Sequence, residues 1–167
     1  MSRHEASCLS VAIEIGVFAM DARYTLEVRS WQKEQHLRHI SEGEWLPMKD
    51  ADGNILEGIA GKPGVAGMKP DGSEIGADFI KMDPGAGFKL HVHDGDHEIY
   101  FILGEGFVHI DGDNIPVHGG HVIHIPGEYP HGVWVAPEAE RPLIFFAVGH
   151  PHKHIQAEDR MRHPHER

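Results

Sequence analysis

Residues 85–104 read GAGFKLHVHDGDHEIYFILG, and this stretch decides the fold. Its centre holds His91 and His93 one residue apart, then Asp94-Gly95-Asp96, then Glu98. Side chains alternate faces along extended backbone, so His91 and His93 project to the same side. Asp and Gly tolerate the dihedrals of a reversal, which predicts a turn at 94–96. The chain returns through Glu98, Ile99, Tyr100, Phe101 and Ile102, a β-branched and aromatic run that predicts a strand. Glu98 stands near the start of that strand, where it can face the histidine pair.

A second stretch, residues 120–135, reads GHVIHIPGEYPHGVWV. Pro126-Gly127 opens a turn, and His131 begins the apolar run Val133, Trp134, Val135. With 16 histidines in 167 residues, an isolated HxH pair carries little information. The ordered set of His91, His93, Glu98 and His131 on short strand-like segments carries much more. Three imidazoles and one carboxylate form a donor set for a single first-row divalent ion, with Fe, Mn, Zn, Ni and Co all compatible. Cysteine is missing from the set, which argues against a purely structural zinc knot.

These two stretches resemble the cupin superfamily, in particular its small single-barrel members. The first motif is carried by Gly85, His91, His93, Glu98 and Gly104, the second by Gly120, Pro126 and His131. The resemblance covers roughly residues 75–148. It departs from the pattern twice: the glycine after the proline comes one position early, at Gly127, and Val135 stands where an asparagine often follows the last histidine. The resemblance implies an all-β double-stranded β-helix, or jelly-roll barrel, with the metal inside near one open end. It also implies pairing of two chains through outer strands, and sheet edges that need cover point the same way, to a homodimer.

Length and composition set outer bounds. A chain of 167 residues is one domain by size. Its 20 glycines and 11 prolines, spread between short apolar runs, suit an all-β fold with many turns. The net charge of −11 argues against a nucleic-acid partner. The single cysteine, Cys8, leaves no internal disulfide and predicts a reducing, cytoplasmic setting. Leu9 to Met20 is apolar but contains Glu14 and is too short to span a bilayer, so no membrane partner is expected. That run is either a strand or sequence that precedes a natural start at Met20.

Three regions are expected: an N-terminal extension over 1–22, a single barrel over 23–149, and a polar His/Arg-rich tail over 150–167. Strands are predicted at Tyr24–Arg29, Glu44–Met48, Ile55–Ile59, Ile75–Met82 and Leu143–Val148, with a short helix at Trp31–Ile40. Asp52-Gly53-Asn54 signals a hairpin, and Gly61 to Gly72 reads as a Gly/Pro-rich loop. The tail lacks a core-facing pattern, so it is expected to be loose and dispensable.

Two further residues are candidates for catalysis. Lys89 lies two positions before His91, and Tyr100 two after Glu98, so period two puts each on a ligand face. A bulge between Phe88 and His91 would turn Lys89 outward. His97 alternates with Glu98 and is expected behind the ligands or at the surface, with a place as a fallback ligand if the turn shifts register, while His124 and Tyr129 are weaker pocket candidates. The expected activity is that of a metal-dependent enzyme on a small organic substrate, through an oxygen-dependent, dioxygenase-type reaction. Alternatives are a redox-neutral isomerase, cyclase or lyase that uses the ion as a Lewis acid, and a non-catalytic binding or sensing module.

Overall fold

Alternation of apolar and polar residues builds the barrel wall. The computed structural model describes residues 37–69, 71–93 and 97–164. In chain order its strands are β1 (Leu46–Lys49), β2 (Ile55–Met68), β3 (Glu74–Met82), β4 (His97–Ile102), β5 (Gly106–Ile110), β6 (Asp113–Val117), β7 (Val122–Ile125), β8 (His131–Trp134) and β9 (Leu143–His150). They form a six-stranded sheet in the order β1-β2-β3-β9-β4-β7 and a three-stranded sheet in the order β6-β5-β8. Every strand pairing is antiparallel. The described residues contain no helix, hence none long and apolar enough to cross a membrane. This is the all-β jelly-roll architecture expected from the sequence.

Strand β4 shows how sequence becomes wall. Glu98, Tyr100 and Ile102 point inward and are buried, while His97, Ile99 and Phe101 face outward. Register then sorts the interior into two ends. Ile102 pairs with Phe145, and Met82 with Leu143, at the apolar end. Glu98 and Gly76 both pair with Gly149, so Glu98 and nearby Asp78 lie toward the other end. The sheets enclose Ile80, Met82, Ile102, Val108, Val133, Leu143 and Phe145 as an apolar core. The polar groups of the site occupy the opposite end.

Three expectations need correction. The Gly/Pro-rich segment is not a loop, because β2 runs on to Met68 and pairs with β3 as far as Met68↔Glu74. The register shifts between Pro63 and Val65, and a bulge is where a strand tolerates a proline that cannot donate to the ladder. Residues 37–40 of the expected helix are not helical, and the rest of that helix, the strand at 24–29, the extension over 1–22 and the turn at 94–96 lie outside the described residues.

The third correction concerns the tail. Ile155 and Met161 are buried in the core cluster, and Arg162 forms an antiparallel bridge with Val92. The segment after His150 is therefore a strap that packs along the barrel. Two glycines make its seat. A Cβ on Gly61 would come within 2.0 Å of Ile155 Cδ1, and one on Gly76 within 2.4 Å of the His152 ring. The strap has few apolar side chains at no regular spacing, so periodicity gave no sign of it.

Candidate metal centre

The segment around the histidine pair is not a continuous strand. It is held by isolated bridges, Gly87↔Trp134, His91↔His131 and Val92↔Arg162. His91, Val92 and His93 are all buried, whereas Lys89 and Leu90 are exposed. Two-residue spacing still brings both imidazoles inward, but Lys89 turns out toward solvent near Asp50 and does not line the cavity. The irregular backbone between Phe88 and His91 is the reason, and Phe88 takes the place at the cavity wall expected of Lys89.

Among the described residues, His91, His93 and His131 are the group whose potential ligand atoms all lie within 4.8 Å of one another. Each ring is oriented from behind by a main-chain carbonyl. His91 Nδ1 is 2.8 Å from Lys89 O, His93 Nδ1 2.6 Å from Arg160 O, and His131 Nδ1 2.9 Å from Tyr129 O. A carbonyl only accepts, so each Nδ1 must carry the proton. Each Nε2 is then left with a bare lone pair, as metal-ligating imidazoles require.

Glu98 completes the cluster. Its Oε2 lies 3.2 Å from His93 Nε2. That separation suits an ion pair, yet His93 Nε2 has no hydrogen-bond partner. The two observations fit together because a carboxylate and a bare imidazole nitrogen are both acceptors. Acceptors this close in a buried site call for positive charge between them. The site's own geometry therefore fits a cation.

Tyr100 joins both halves of the cluster. Its hydroxyl donates to Glu98 Oε2 and stands 3.0 Å from His131 Nε2. Electrostatics follow from burial. Desolvation, then the neighbouring His131 and His93, holds His91 well below the usual imidazole range. Burial, then His93, lowers His131 to about 4. Both rings are thus neutral at pH 7 and free to ligate. For Glu98, burial acts upward but is outweighed by positive charge on its His93 side and then by Arg160, so the carboxyl stays ionised. Burial and Glu98 raise Tyr100 well above its usual value, so it keeps its proton.

Sequence reasoning missed Arg160 and Asp78. Arg160 lies on the strap and donates from Nη1 to Asp78 Oδ2 at 3.0 Å and to Lys153 O. Asp78 is 1% exposed and also meets His152 Nε2 at 3.0 Å. The signal for Asp78 was an acid at an inward position of β3, between Gly76 and Ile80. Arg160 has no such signal, because its segment lacks periodicity. His97 is exposed and meets His124 Nε2 at 2.8 Å on the outer face, so neither reaches the cluster. The Tyr129 side chain packs on the core, while its carbonyl orients His131.

The space beside the cluster is small. One cavity of about 20 Å³ touches Met48, Phe88, His91, Glu98, Tyr100 and Arg160. Another of about 10 Å³ lies between Glu98, His152 and Arg160. Each holds about one water at most. Larger hollows of about 620 and 590 Å³ flank Glu105 and Glu138, away from the convergent histidines. Site chemistry, and not hollow size, locates the candidate centre.

Residues 78–149 match the family model described as a cupin domain. Over 55 residues the chain is 38% identical to an oxalate-binding protein of Thermotoga maritima, a match that covers 32% of this chain and 46% of that protein. The chain thus spans about half the length of this relative. A solved structure described as a predicted oxalate decarboxylase, also from Thermotoga maritima, superposes with a TM-score of 0.54 at 23% identity, over 68% of this chain and 96% of the other. The polyketide cyclase RemF from Streptomyces resistomycificus gives 0.55 at 19% identity, over 70% and 79%. An RmlC-like cupin from Shewanella frigidimarina gives 0.55 at 22% identity, over 71% and 93%. At these identities the structural likeness establishes the fold and leaves the reaction open.

Proposed function

We propose that this small cupin-superfamily protein is a metal-dependent enzyme that acts on a small organic substrate at His91, His93, Glu98 and His131. One observation carries the reading: three buried imidazoles, each fixed through Nδ1 by a carbonyl, turn bare Nε2 atoms toward one point beside an ionised carboxylate. When bound, a divalent transition ion supplies Lewis acidity and open coordination positions for a substrate oxygen or dioxygen.

The chain's own residues supply the rest. Phe88, Met48 and Met161 give the cavity an apolar wall. Tyr100 keeps its proton and donates it to Glu98 Oε2 beside His131, which holds the carboxylate in place; a substrate oxygen that displaced Glu98 from this bond would receive the same proton. Lys89 faces away and has no place in this scheme.

The finer reading is an oxygen-dependent reaction of dioxygenase type, supported by three imidazoles and a carboxylate that suit Fe(II). A second, redox-neutral reading is favoured by the protonated Tyr100 at the site and by the relative named for oxalate binding. In that reading the ligand is a small carboxylate that is bound or cleaved without dioxygen. The test begins with elemental analysis of protein purified without chelator. We expect near-stoichiometric metal, lost in the His91→Ala, His93→Ala double variant; full occupancy in that variant would overturn the assignment. Turnover of a carboxylic-acid panel with and without dioxygen then separates the two readings.

A further inference from the structure

The acceptor that orients His93 comes from outside the matched domain. Residues 78–149 contain the carbonyl behind His131 and that behind His91, at Tyr129 and Lys89. The carbonyl behind His93 belongs to Arg160, on the strap. Removal of the strap would leave His93 Nδ1–H without this partner and its ring without this restraint.

Arg160 is itself held at a fixed depth. Its guanidinium donates to Asp78 at 3.0 Å, and both side chains are buried. His152 fastens the strap's start, with its amide on Glu74 O at 2.9 Å and Nε2 on the same Asp78 oxygen at 3.0 Å. Ile155 sinks over Gly61, and the Arg162 backbone exchanges bonds of 2.9 and 3.0 Å with Val92, next to His93. The last of these fastenings adjoins His93, whose Nδ1 the Arg160 carbonyl meets directly, and the others hold the strap on β2 and β3.

We propose that Asp78 and Arg160 are positioning residues that join strap docking to metal binding. Asp78 pins the Arg160 side chain, and the Arg160 carbonyl then fixes His93 in the ligating orientation. The strap is thereby a part of the metal centre that contributes no ligand atom. The inference rests on the metal site proposed above. Coupling of this kind is reciprocal: the factor by which docking tightens metal binding is the factor by which metal suppresses strap opening. It also gives the site an entrance. Arg160 borders both small cavities, so a substrate larger than water gains access when the strap lifts, at the moment that restraint on His93 is released.

The strap carries its own reporters, since Lys153, Arg160 and Arg162 are trypsin sites. The experiment measures Zn²⁺ affinity of the full chain by competition with a chromophoric chelator. In parallel, mass spectrometry follows cleavage at those three positions with and without saturating Zn²⁺. Zn²⁺ is expected to slow strap cleavage in the unmodified chain. Asp78→Asn should weaken Zn²⁺ binding by about 10- to 100-fold, the usual effect of losing support behind a ligand, and should speed strap cleavage. If Asp78→Asn does not fold, Asp78→Asn, Arg160→Gln removes both buried charges and is measured instead. Tight Zn²⁺ binding that leaves strap cleavage unchanged, or variants that bind as tightly as the unmodified chain, would overturn the coupling and leave the metal site standing. Failure of the unmodified chain to bind Zn²⁺, or any other divalent transition ion, would overturn the site itself.

Discussion

Replacing Ile155 with alanine tests whether the strap is a true part of the fold. Ile155 is 2% exposed and packs among Met48 and the face of Gly61. The change removes three carbons from the core, worth about 2.4 kcal/mol at roughly 0.8 kcal/mol for each. Gly61 offers no side chain to move into the gap, so some cavity remains and adds to the loss. The total expected is about 3 kcal/mol, within the usual range for Ile→Ala in cores. Urea unfolding followed by tryptophan fluorescence measures it. With a slope of about 2 kcal/mol per molar, the midpoint should fall by about 1.5 M. The loss cannot exceed the free energy of strap docking, because beyond that point the strap simply detaches. A loss below about 0.5 kcal/mol would refute the reasoning, since it would mean that Ile155 is not buried in solution.

Four further outcomes are expected. Tyr100→Phe should keep its metal, because no ligand nitrogen is lost, yet turn over substrate more slowly; paired metal analysis and rate measurement checks this, and an unchanged rate removes Tyr100 from the chemistry. Glu128→Gly should stabilise the protein by up to about 1 kcal/mol in thermal unfolding, because Glu128 sits at φ 58°, a conformation that costs a side-chain-bearing residue about 1–2 kcal/mol, partly offset by the greater freedom of glycine when unfolded. The His152–Asp78 contact should make strap docking pH-dependent. Hydrogen bonding to Asp78 raises His152 above 6.5, so its contribution is full below that pH and is lost as pH rises through the higher folded value; Asp78 is lowered from 3.8, so its own share fades only in acid. Strap cleavage should therefore quicken as pH rises through that folded value, and His152→Gln should flatten the rise. Finally, light scattering should report a homodimer, because Ile99, Phe101, Leu103 and Val122 leave apolar side chains exposed on and beside β4 and β7; Phe101→Asp should yield monomer, and a monomeric unmodified chain would count against pairing.

The sequence was most informative where chemistry and geometry coincide. His91, His93, Glu98 and His131 stood out as ligand types at strand spacing, and the structure brings all four to one end of the barrel. The alternation of β4 was readable because each inward residue has an outward neighbour of different character. Lys89 shows the limit of period two: it assumes continuous strand, and bridges at 87 and 91 with irregular backbone between them break the alternation. The stretch from Gly61 to Met68 looked like a loop because glycine and proline have low strand propensity, but pairing with β3 overrode that preference. Glu128 explains one departure from the motif. The turn closed by the Tyr129 N–H on Pro126 O needs left-handed backbone at Glu128, one position after Gly127, and here a glutamate adopts it. The strap was invisible because two apolar anchors six residues apart, in a polar segment, make no period.

The strap's fastenings also set an order of events in folding. Hairpins such as β5–β6 close over a two-residue turn at Asp111-Gly112, where both φ values are positive. The contact from His93 to Arg160 spans 67 residues, and that from Asp78 to Arg160 spans 82. Closing loops of that length gains little until β3, β4 and β9 already offer a surface to land on. Sheet formation is therefore expected to precede docking of the strap. A nascent barrel would then have its shape before the Arg160 carbonyl reaches His93, and the strap would be the last segment to settle.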